Sequence, residues 1–151
     1  GAKVAIVRLN YAIDLRYGVL VDLALKVTRG EAVDLRMGFV NVIWQGDAVA
    51  QVIQCLVPAA IPPFVVNVTG AEVLSVRDVA HEFGRLCGRE PVFTGSESSD
   101  ALLSNTTRAQ SLWGPPSISA SRLLAWVADW VARGGVTLGR PTHFEQREGS
   151  F

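Results

Sequence analysis

Two kinds of apolar pattern alternate along the chain. Residues 3–10 (KVAIVRLN) and Phe64–Val68 (FVVNV) hold apolar side chains consecutively, the pattern of strands covered on both faces in a parallel sheet. Around them apolar residues recur at i, i+3, i+4 and i+7, the pattern of helices with one buried face. The first such helix runs from Val19 to Arg29. It carries Leu20, Leu23, Ala24 and Val27 on one face, pairs Asp22 with Lys26 on the other, and stops at Gly30. Residues 38–57 (GFVNVIWQGDAVAQVIQCLV) read as a short strand, a turn carrying Trp44, Gln45 and Gly46, and a second helix. In that helix Val49, Val52, Ile53 and Leu56 share a face, with Asp47 placed to cap the free N–H groups of the first turn. Ser75-Val76-Arg77-Asp78 is a capping-box pattern opening a third helix that runs to Cys87, with Val76, Val79, Ala80, Phe83, Leu86 and Cys87 inward. Asn105 or Thr106 opens a short helix that Gly114-Pro115-Pro116 breaks. The last helix starts at Ser119, buries Leu123, Trp126, Val127, Trp130 and Val131, and ends at Gly134-Gly135. Residues 32–35 and 91–94 are short strands.

This alternation predicts an α/β fold. Right-handed crossovers place the two long strands side by side in a parallel sheet, a partial Rossmann-like sheet, with the short strands and Trp-bearing helices in a small attached α/β lobe. Residues 1–135 form the folded unit and residues 136–151 a polar, extended tail. A doubly apolar strand at residues 3–10 needs a neighbour on each edge, and few other strands are on offer. That points to an upstream half or a partner chain that completes the sheet.

Composition narrows the class. At 151 residues the chain makes one domain, and 49% hydrophobic against 19% charged residues excludes disorder. Lys+Arg and Asp+Glu balance at 14 each with no basic block, which argues against nucleic acid. No span of about 20 apolar residues suggests a membrane helix. No signal-peptide pattern is present, and a cytoplasmic location is the expectation. Cys55 and Cys87 lie among apolar neighbours as reduced thiols. Two distant histidines, His81 and His143, complete no metal-ligand spacing.

The order of motifs resembles the C-terminal half of the extended short-chain dehydrogenase/reductases, the NAD-dependent epimerase/dehydratase family. Four segments carry the likeness: VAIVRLNYA (4–12), FVNVIWQGDAVAQVI (39–53), FVVNVTGAEVLSVRDVAHEFGRLCG (64–88), and SNTTRAQSLWG with SASRLLAWVADWV (104–131). In the family the first is a late sheet strand ending in an Arg-containing loop that lines the substrate. The family's Gly-x-x-Gly-x-x-Gly cofactor turn appears nowhere here, and neither does its catalytic Tyr-x-x-x-Lys: Tyr11 is followed four residues later by Leu15, and Tyr17 by Val21. The resemblance therefore implies the substrate-binding portion of an NAD(P)-dependent enzyme, inactive alone, with NAD or NADP bound by the full-length parent. Its partners would be a sugar or nucleotide sugar, the missing N-terminal half, and a second copy in a homo-oligomer. The other reading is a non-catalytic scaffolding domain that completes its sheet with a partner chain.

No residue of this chain is expected to be catalytic or to hold the cofactor. The candidate substrate contacts are Arg8, Asn10, Tyr11, Arg36, Trp44 and Gln45. Arg8 and Tyr11 either line the pocket or pack at the sheet end, where Arg8 could pair with a carboxylate. Trp44 and Gln45 sit at a strand end, where open α/β sheets bind ligands, though a Trp there also serves as packing. Arg36 stands one place from the position at which nucleotide-sugar members hold a diphosphate, so it is either an anion clamp or a solvated arginine.

Overall fold

The structure, a computed structural model, describes residues 1–146 of the 151. In chain order the elements are β1 (Ala5–Leu9), β2 (Ala12–Ile13), α1 (Val19–Arg29), β3 (Ala32–Asp34), β4 (Phe39–Val40), β5 (Ile43–Trp44) and α2 (Gln45–Gln54). There follow β6 (Phe64–Val68), β7 (Leu74–Ser75), α3 (Val76–Cys87), β8 (Val92–Thr94), α4 (Thr107–Trp113) and α5 (Ala120–Ala132). The α/β class holds. The two long strands pair in parallel as expected, from Ala5 opposite Phe64 to Leu9 opposite Val68. Three shorter pairs accompany them: β2 with β5 and β3 with β8 in parallel, and β4 with β7 antiparallel.

Local chemistry explains where the helices begin and end. Ser75 and Ser119 each accept a backbone N–H of the first turn, from Asp78 and Arg122, as their positions predicted. α1 and α3 both stop on glycines in the left-handed region, Gly30 at φ 70 and Gly88 at φ 69, where a side chain would be strained.

Two clusters of buried side chains result. The larger joins Leu20, Leu23 and Val27 of α1 to Val79 and Phe83 of α3, and to Leu123 and Val127 of α5, above Val33, Leu35 and Met37. Each such side chain removed from water contributes roughly 1.5–3 kcal/mol. The smaller cluster lies on one face of the β1–β6 pair, where Phe64, Val66 and Val68 meet Ala48 and Cys55 at α2 and Ala109 of α4. Trp113 packs edge-on to Phe64 with ring centroids 6.5 Å apart.

Several sequence expectations give way to tertiary context. α2 turns Ala48, Gln51 and Cys55 inward, while Val49, Val52, Ile53 and Leu56 are exposed. Small side chains and one amide let α2 lie close on the strands, and no described residue covers the larger stripe. Asp47 does not cap α2, whose N-cap position is Trp44. Its carboxylate instead accepts from Ser117 Oγ at 2.6 Å and Ile118 N at 3.1 Å, tying the first turn of α2 to the approach to α5. β1 is not covered on both faces: Ile6 and Leu9 are exposed, as is Val4 just before it, and among the described residues only β6 flanks it. On α5 the buried stripe is Ala120, Leu123, Val127 and Ala128. Trp126 stands at the rim, edge-on to Trp44 at 5.6 Å, and Trp130 donates its ring N–H to Val136 O. Asp22 and Lys26 do not pair with each other. They bind residues of the tail, which runs back along α1 with Phe144 buried. Residues 147–151 of the expected tail lie outside the described residues.

Candidate functional site

The strand ends gather around one buried amide. Asn41 stands alone among apolar neighbours between β4 and β5, and its side chain donates to Gly70 O (3.2 Å) and Ser104 O (2.8 Å). It accepts from Asn10 Nδ2 at 3.1 Å, and Asn10 also reaches Leu102 O at 3.3 Å. Thr69 Oγ1 donates to the Asn41 carbonyl at 3.0 Å. A buried amide must find partners for both ends, and this one finds them on three segments, joining the C-terminal ends of β1 and β6 to residues 102–104. Gly70 sits close against this junction: a Cβ there would collide with the Val42 carbonyl oxygen.

Tyr11, next along, adopts φ 40, a sparsely populated conformation for a residue with a side chain. Its carbonyl accepts from Ile43 N at 3.2 Å and its ring packs against the larger core, so the turn is held from both sides. Burial, and secondarily the charge of Glu145, pushes the Tyr11 phenol above its ordinary pKa, which keeps it a neutral donor.

Between these elements opens a cavity of about 490 Å³, lined by Leu9, Asn10, Tyr11, Ala12, Tyr17, Gly18, Val19, Leu102 and Thr142. Among the described residues no charged side chain lines it. Its polar groups are hydroxyls and an amide, its walls aromatic and aliphatic, a composition suited to binding an uncharged hydroxylated ring. Among the described residues its hydroxyls, amide and apolar walls can bind and orient a ligand.

Of the six candidate substrate contacts, the structure brings Asn10 and Tyr11 into this cavity. Arg8 is exposed on β1, on the same side as Ile6, and carries no hydrogen bond or ion pair among the described residues. Arg36 is held by Asp34 through Nε (2.8 Å) and Nη2 (2.7 Å), well away on the β3–β8 pair. That pairing holds the Asp34 carboxyl below its ordinary range. Trp44 is half-buried against Trp126, and Gln45 is exposed at the start of α2. Sequence reasoning missed Asn41, Tyr17 and Thr142. Asn41 had a signal, as the one amide in an apolar run, which must be partnered wherever it is buried. Thr142 had none, because its place depends on how the tail folds back. Among the described residues no cluster could hold a metal ion, and no helix is long and apolar enough to cross a membrane. Cys55 and Cys87 are free, both with thiol pKa raised by burial.

No protein-family model and no curated protein matches the chain. Solved structures do. The chain is similar to UDP-glucose 4-epimerase of Thermus thermophilus in complex with NAD, at 18% identity and a TM-score of 0.69, over 90% of this chain and 48% of that one. It is similar to UDP-glucose 4-epimerase of Thermotoga maritima with UDP-glucose, at 18% identity and a TM-score of 0.64, over 89% and 47%. A third is UDP-glucuronic acid 4-epimerase of Bacillus cereus with NAD, at 14% identity and a TM-score of 0.68, over 85% and 43%. The chain has the fold of these epimerases. It spans just under half of their length.

Proposed function

We propose that this chain is the substrate-side portion of an NAD(P)-dependent sugar epimerase, dehydratase or reductase, corresponding to the C-terminal half of an extended short-chain dehydrogenase/reductase. The observation that carries the reading is the epimerase fold over 85–90% of the chain, combined with a parallel β1 strand that, among the described residues, has a neighbour on one edge only. On this reading a nucleotide-binding half supplies the glycine-rich turn and the Tyr-x-x-x-Lys pair. It lays a strand against β1 and covers the exposed apolar stripe of α2. NAD binds that half, and hydride transfer needs both. The present chain holds the sugar or nucleotide sugar, with Asn10 and Tyr11 contacting it in the cavity. Arg8, Trp44 and Gln45 complete the wall once the halves are joined, and Arg36 stays on Asp34. A cytoplasmic, homo-oligomeric enzyme follows from the same reading.

The test is complementation. The chain is co-expressed with a polypeptide carrying the glycine-rich turn and Tyr-x-x-x-Lys, and NAD-dependent conversion of UDP-glucose and UDP-glucuronic acid is followed. Association with restored turnover is the expected result, with none from the chain alone. Failure of the two to associate, or NAD-dependent turnover by the chain alone, would sink the reading.

The one-sided β1 strand also favours a second reading, a non-catalytic domain that completes its sheet with a partner chain. That reading predicts a stable complex through β1 without any nucleotide-sugar binding.

A further inference from the structure

Residues 136–146 contain no helix or strand, yet they are tied down along α1 at every few residues. Leu138 N donates to Arg16 O at 2.9 Å. Thr142 gives both its backbone N–H and its Oγ1 hydroxyl to Asp22 Oδ2, at 2.7 and 2.6 Å. Glu145 pairs with Lys26, and Phe144, 2% exposed, is part of the larger core. A polar tail with nothing to do has no reason to bury a phenylalanine and satisfy a helix carboxylate twice. What these anchors achieve is to place Thr142 against the cavity formed by the end of β1, the Tyr11–Tyr17 turn and Leu102.

We propose that the strap of residues 138–145 is the outer wall of that cavity, and that Thr142, positioned by Asp22, selects the ring the cavity accepts. The proposal rests on the substrate-side reading above and adds to it which part of the substrate this cavity takes. A threonine hydroxyl has one hydrogen to give and two lone pairs to receive with. Here the hydrogen is committed to Asp22, so Thr142 meets a ligand as an acceptor. The ligand must then present a donor, as a sugar hydroxyl does. With no Lys or Arg lining the cavity among the described residues, a phosphate meets no counter-charge from them, so the uncharged ring enters and any phosphate stays outside. Tyr11 and Tyr17 supply flat apolar faces for its C–H surface, with phenolic hydroxyls for its oxygens.

The experiment is an NMR titration of the full 151-residue chain, as wild type, Thr142→Val and Thr142→Ser, with glucose, UDP-glucose and inorganic phosphate as probes. Thermal unfolding and the exchange protection of the Leu138 amide report whether each variant keeps its fold and strap. The expected result is shifts at Tyr11, Tyr17 and Thr142 with glucose and UDP-glucose and none there with phosphate. Thr142→Val weakens both sugars about five- to tenfold, the scale of one hydrogen bond, while Thr142→Ser retains them. If wild type binds the sugars and Thr142→Val binds them equally well, the strap proposal falls and the substrate-side reading stands. Phosphate-induced shifts at the cavity would overturn the assignment of an uncharged ring. If wild type binds neither sugar, the role given to Thr142 falls, while the substrate-side reading is decided separately by the complementation assay. Should Thr142→Val lose its fold, Thr142→Ala is read in its place by the same criteria.

Discussion

Helices α1 and α2 have the same kind of apolar periodicity and opposite fates. Leu20, Leu23 and Val27 of α1 are 0% exposed, packed under α3 and α5. Val49, Ile53 and Leu56, the equivalent stripe of α2, are 50%, 61% and 76% exposed. Periodicity says which side chains share a face. It does not say that the chain owns anything to put against that face. α1 meets two other amphipathic helices and closes a core, whereas α2 meets the strands through its narrow Ala48–Gln51–Cys55 side and leaves its broad apolar side outward. The only charged residue from position 48 to position 76 is Glu72, so water gains little by meeting this surface. A contiguous apolar face of this kind is the surface that the proposed nucleotide-binding half would cover.

The largest expected effect tests the covered side. Phe83→Ala, in the core beneath α1, should cost about 3–5 kcal/mol, because the surrounding helices cannot collapse into the space. Urea unfolding with an unchanged m-value measures it, and a loss under about 1 kcal/mol would mean that this core is not the stabilising one. Next comes the junction between the two regions. Asn41→Ala strands the Gly70 and Ser104 carbonyls and frees Asn10, for roughly 2–3 kcal/mol. Hydrogen exchange should then rise both at the ends of β1 and β6 and near residues 102–104. Faster exchange confined to one of these would show that Asn41 does not link them. A smaller pair of changes separates a cap from a tie. Ser75→Ala should cost about 1 kcal/mol and expose the Asp78 amide in the first turn of α3. Asp47→Ala should cost a similar ~1 kcal/mol but expose the Ile118 amide, leaving the first turn of α2 protected.

What was legible in the sequence follows the same division. Where the information is local, it reads correctly. Ser75 and Ser119 open α3 and α5, Gly30 and Gly88 close α1 and α3, and the consecutive apolar runs at β1 and β6 pair in parallel. Where the outcome depends on a distant partner, it does not. Asp47 has the look of a cap because nothing nearby reveals Ser117, seventy residues on. Asp22 and Lys26 have the spacing of an intrahelical pair until the tail offers Thr142 and Glu145 to each. Trp126 and Trp130 count as core by periodicity, yet a ring that large reaches the rim and packs there, edge-on to Trp44 or bonded to Val136 O. The site divides likewise. Asn10 and Tyr11 follow the strand whose pattern is plain, whereas Tyr17 and Thr142 join them only through the path of the turn and the strap.

The smallest stability change carries the sharpest test of the comparison. Ile53→Lys and Leu56→Lys, made together, place two charges on the outward face of α2. If nothing within the chain covers that face, the charges meet water and the helix loses little, since Lys is a good helix former. The expected change is within about 0.5 kcal/mol in urea unfolding. Introducing a charge at Leu23 of α1 would instead place it in the core unpaired, at a cost large enough to unfold the domain. The same double variant should abolish association with a nucleotide-binding half in the complementation assay, because an apolar contact cannot absorb two unpaired ammonium groups. A large loss of stability from Ile53→Lys and Leu56→Lys would show that this face is covered from within, and the contrast between α1 and α2 would disappear. Unchanged stability with unchanged association would leave the face open and move the joining surface elsewhere, to the free edge of β1 alone.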